Sequence, residues 1–131
     1  MTLQQTLAVP AGWPGSLPEY LVYTALIQLG KQPGLDFVYQ SPLMGGRLER
    51  GGLVIHFLFI NPPDLAINVQ GEYFHQQQGS TAIARDKMAR AQLAGQGITL
   101  IFIDAGDVTA DPVRYVRDAL NYIDHSFLGR G

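Results

Sequence analysis

Leu53-Val54-Ile55-His56-Phe57-Leu58-Phe59-Ile60 is a near-continuous apolar run, followed by the turn Asn61-Pro62-Pro63-Asp64 and a second run, Leu65-Ala66-Ile67-Asn68-Val69-Gln70. A strand that is apolar on both faces belongs inside a sheet with cover on both sides. The Asn-Pro-Pro-Asp turn joins the two runs as neighbours. Upstream, Leu35 to Ser41 reads as a first strand, and the Gly-rich loop Pro42 to Gly52 carries Arg47, Glu49 and Arg50. Before it, Ser16-Leu17-Pro18-Glu19 fits a capping box that opens a helix, and Gly30 after Leu29 stops it. Downstream, Ser80 to Ala94 reads as a second helix closed by Gly95 and Gly97, with Asp86 and Arg90 spaced to pair on its surface. Ile98 to Asp104 is a fourth, apolar strand, and Asp111-Pro112 caps a last helix striped by Val113, Val116, Leu120 and Ile123.

The order is helix, three strands, helix, strand, helix. Short connections predict that the first three strands form a meander, and the helix before the fourth predicts a crossover and a mixed sheet. The chain of 131 residues suits one α/β domain over 16–125, after an irregular arm at 1–15 and before a short tail at 126–131. An apolar fraction of 47% argues against disorder. The net charge of −2 leaves any nucleic-acid contact to a local basic patch. Absence of Cys excludes disulfides, thiolate zinc sites and cysteine nucleophiles, and leaves the redox compartment unreadable. Met1 to Gly15 lacks the basic and apolar regions of a signal peptide, and Leu53 to Ile60 is too short to span a bilayer, so a cytoplasmic protein without a membrane partner is expected.

Four polar residues stand out against this apolar frame. Glu19 shares its helical arc with Val22, Tyr23 and Leu26, which places a carboxylate towards the core. It either completes the capping box with Ser16 or serves a site, and the two roles are compatible. His56 interrupts the central strand, and by the period of two Ala66, Asn68 and Gln70 share one face of the next. If that face meets the first helix, Glu19, His56, Asn68 and Gln70 converge. A lone core histidine is more often a satisfied polar group, and the neighbouring amides raise the functional reading. The segment Ala66-Ile67-Asn68-Val69-Gln70-Gly71-Glu72-Tyr73-Phe74-His75 ends a strand at Gly, then two aromatics and a His. It is either a packed turn or the rim of a site.

Taken in order, Glu19, Ile55-His56-Phe57, Val69-Gln70-Gly71, Tyr73-Phe74-His75, Arg85-Asp86, Leu93 to Gly97 and Ile98 to Asp104 resemble the very-short-patch-repair (Vsr-like) endonucleases of the PD-(D/E)xK nuclease superfamily. The resemblance spans roughly Ser16 to Asp104. It implies a nuclease-like αβββαβ core with a mixed sheet and an extra C-terminal helix. It also implies a metal-dependent DNA endonuclease or nickase, with a place in DNA repair or recombination. The implied catalytic set is Glu19, His56, Gln70 and His75, with His56 and Glu19 at a divalent metal, Mg or Mn. His75 would act as general acid–base, and DNA contacts would fall to Arg47, Arg50, Arg85, Lys87 and Arg90. Trp13 would either stack on bases or pack on the core.

Three departures bear on activity. The family's metal-binding aspartate falls at His56, the first histidine of its His-Gly pair falls at Gln70, and its cysteine zinc site is absent. The superfamily's Asp…(Glu)-x-Lys pattern is also missing, with Asn68-Val69-Gln70 in its place. Imidazole suits softer metals better than Mg²⁺. The expectation is therefore an impaired endonuclease or, alternatively, an inactive nuclease-fold module that binds nucleic acid or protein.

Overall fold

The computed structural model describes residues 9–39, 55–71 and 79–126. Helix α1 is Leu17–Gln28, and strands β1, β2 and β3 are Phe37–Tyr39, Phe57–Phe59 and Leu65–Gln70. Helix α2 (Gly79–Gly95) leads into β4 (Thr99–Asp104), and two short helices, α3 (Ala105–Ala110) and α4 (Pro112–Leu120), follow.

The strands form one sheet in the order β1-β2-β3-β4. The β1–β2 and β2–β3 pairs are antiparallel and β3–β4 is parallel, as the crossover through α2 requires. The Leu53 to Ile60 run is therefore represented by an internal strand, β2, as its composition predicts. Alternation along the strands divides the core. Phe57, Phe59, Leu65, Ile67, Ile101 and Ile103 face α1, α3 and α4, where Val22, Leu26, Val108 and Val116 are buried with them. Ala66, Leu100 and Phe102 face the other way, with Ile55 and with Leu93 of α2. Each large side chain so buried stabilises the fold by about 1.5–3 kcal/mol.

Helix ends follow local chemistry. Ser16 Oγ accepts the Glu19 N–H at 3.3 Å, and Gly30 takes a left-handed φ of 92° that closes α1. The last helix starts as expected at Asp111-Pro112, where the Asp111 side chain accepts the Arg114 N–H at 3.3 Å and caps α4, and the short helix α3 before it is an addition to the expected elements. Ile123 lies past the end of α4 and is exposed, so the expected apolar stripe ends at Leu120. Beyond it, Asp124 Oδ2 accepts the Phe102 N–H at 2.9 Å, giving the outer edge of β4 a partner. Trp13 packs on the protein, with its ring stacked on Tyr39 at 4.7 Å and edge-on to Tyr20 and Tyr23.

No helix among the described residues is long and apolar enough to cross a membrane.

Candidate functional site

The antiparallel ladder between β2 and β3 pairs Phe57 with Ile67 and Leu58 with Ala66. The next step along the ladder would set His56 against Asn68, and there side chains replace the backbone partners. The His56 N–H donates to Asn68 Oδ1 at 2.7 Å, and the Val69 N–H donates to His56 Nδ1 at 2.9 Å. Strand alternation would also keep Ile55 on the face of Phe57, yet Ile55 packs in the opposite layer. The chain therefore bends at His56, and beyond the β2–β3 ladder side-chain bonds hold the two segments together.

The Val69 amide can only donate, so Nδ1 must accept, and a neutral ring then carries its proton on Nε2. Burial pushes the His56 pKa down from its ordinary 6.5, while the charge of Glu19 pulls it up by less. The ring is thus held neutral, with its one lone pair already occupied.

Glu19 projects from the first turn of α1. Ser16 Oγ donates to Oε2 at 3.0 Å, and Tyr39 Oη donates to Oε1. Gly15 permits this arrangement, because a Cβ there would stand 1.9 Å from Tyr39 Oη. The N-cap half of the expected capping box is present, but the Glu19 carboxylate takes the Ser16 hydroxyl and the Tyr39 hydroxyl, a partner that carried no distinctive signal in the sequence.

Gln70 does not join Glu19. Residues 66, 68 and 70 share the face covered by α2, not the face covered by α1, so the expected convergence splits across the sheet. Gln70 Nε2 donates to Asp86 Oδ2 at 2.9 Å, while Gln70 Oε1 is buried without a partner. One N–H of this amide is thus engaged by Asp86, and the buried oxygen adds an unused acceptor beside it. Asp86 is only 4% exposed, which corrects the expected surface position opposite Arg90. Its spacing to the buried Ala89 and Leu93 was the sequence signal for this. Asp104 ends β4 directly beside Gln70 in the parallel register and is half-buried. These groups gather at the carboxyl ends of the parallel pair, where open α/β sheets bind ligands.

Of the residues expected at DNA, Lys87 is exposed on α2, and the Arg90 guanidinium lies 5.9 Å from the centre of the Phe102 ring. Arg85 is on α2, while Arg47, Arg50 and His75 lie outside the described residues.

Among the described residues no three His, Asp or Glu side chains are grouped to hold a divalent metal. His56 offers no free lone pair, and Glu19 is separated by the sheet from Gln70 and Asp86. The described residues therefore do not fit a metal centre built on Glu19 and His56. No family model, curated protein or solved structure matches the chain.

Proposed function

We propose that this chain is a DNA-binding protein on a nuclease-like αβββαβ core, with Mg²⁺-dependent phosphodiester hydrolysis impaired at His56. The scaffold half of this reading rests on the resemblance to the Vsr-like endonucleases together with the element order and mixed sheet. The impairment rests on one observation: at the position where the resemblance implies a metal-holding carboxylate, the ring nitrogen accepts the Val69 N–H. Hydrolysis of a phosphodiester with Mg²⁺ calls for hard oxygen donors, and His56 contributes neither oxygen nor charge.

A second reading, an active metal-dependent endonuclease or nickase, is favoured by the unpartnered Gln70 Oε1 beside buried Asp86. An amide oxygen and a carboxylate are hard donors, but two of them do not make a cage.

Incubation with supercoiled plasmid separates the readings. The proposal expects a mobility shift that is lost at high salt, with no nicking in Mg²⁺. Nicking by the unaltered chain in Mg²⁺ favours the second reading, and absence of any shift removes DNA as the partner.

A further inference from the structure

The two hydrogen bonds at the end of the β2–β3 ladder run in opposite directions between the same two segments. The backbone of His56 reaches the side chain of Asn68, and the side chain of His56 receives the backbone of Val69. Together they replace the ladder at the point where the chain bends. We infer that His56 is a clasp, a positioning residue that holds the end of the β2–β3 ladder through Nδ1, keeps its proton on Nε2, and for that reason does not ligate a metal.

The opposite tautomer would set an N–H on Nδ1 against the Val69 N–H, two donors facing each other with neither satisfied. Metal ligation through Nδ1 would displace Val69. Ligation through Nε2 would need the proton moved to Nδ1, with the same loss. What position 56 requires is an acceptor one bond beyond Cγ, which Asn and Asp supply through Oδ1 and Leu does not. The clasp thus explains how a histidine is accommodated where the resemblance implies an aspartate: both satisfy the Val69 N–H. This inference stands whether or not the chain binds DNA.

Long-range ¹H–¹⁵N correlation spectra of the histidine rings test it in the intact protein. The expected result is a single His56 tautomer protonated at Nε2, unmoved and not selectively broadened by Mn²⁺. In thermal unfolding, His56→Asn should melt close to the unaltered protein and His56→Leu several degrees lower. An Nδ1-protonated ring, a mixture of tautomers, selective broadening by Mn²⁺, or His56→Leu melting with His56→Asn would overturn the inference. Should His56→Leu not fold, the ring spectrum of the unaltered protein decides alone. Failure of the DNA reading shows separately, as a missing plasmid shift with the ring spectrum unchanged.

Discussion

Val69 N–H and His56 Nδ1 meet at 2.9 Å, so a strand amide is satisfied by a titratable ring. Stability should therefore depend on the ring staying neutral. Burial sets the folded His56 pKa below its ordinary 6.5, with Glu19 offsetting part of the shift. The unfolded chain then takes up a proton first. The contribution is fully present above roughly pH 6.5 and is lost as pH falls towards the lowered folded value, by at most about 1.4 kcal/mol per pH unit. His56→Asn removes this dependence. Urea unfolding across about pH 5–7.5 should show the unaltered protein losing stability faster on acidification than the variant, and parallel curves would contradict the account.

Gly15→Ala should loosen the grip on Glu19. Its Cβ would fall 1.9 Å from Tyr39 Oη and 2.9 Å from Glu19 Oε1, so the tyrosine must move. The expected loss is about 1–3 kcal/mol, on the scale of overpacking. An unchanged denaturation midpoint would mean that Tyr39 yields freely.

The buried pair of Gln70 and Asp86 should behave as a unit. Asp86→Ala strips the Gln70 amide of its partner among the described residues and should cost about 1–3 kcal/mol. Combining Asp86→Ala with Gln70→Leu should cost less than the sum of the two single changes, because neither member of this pair is then left facing a missing partner. Additive losses in urea titrations would show that the two side chains do not depend on each other.

Much of the fold was legible because periodicity and caps are local signals. Leu65 to Gln70 and the Ser16 cap stand where the pattern puts them, and the internal position of the Phe57–Phe59 strand follows from its apolar neighbours. The site was legible only in part. A period of two says that Asn68 and Gln70 share a face, but not which helix covers it, and here α2 does. The bend at His56 also breaks the parity on which the expected convergence depended. Asp86 was misread because an Asp with an Arg four residues on resembles a surface pair, although Ala89 and Leu93 mark the same face as buried.

Lys87 is exposed on α2 and should contact the DNA backbone without reading sequence. Lys87→Ala should weaken plasmid or duplex binding uniformly across sequences and reduce the slope of log affinity against log salt by about 1. An unaltered slope would place the DNA elsewhere.

Plasmid nicking by the unaltered chain and by His56→Asp, side by side in Mg²⁺ and Mn²⁺, tests most directly whether His56 impairs hydrolysis. An aspartate can accept the Val69 N–H with one oxygen and leave the second as a hard, charged donor. The predicted result is no nicking by the unaltered chain in Mg²⁺ and a gain of nicking for His56→Asp. Robust Mg²⁺-dependent nicking by the unaltered chain, undiminished in His56→Ala, would contradict it.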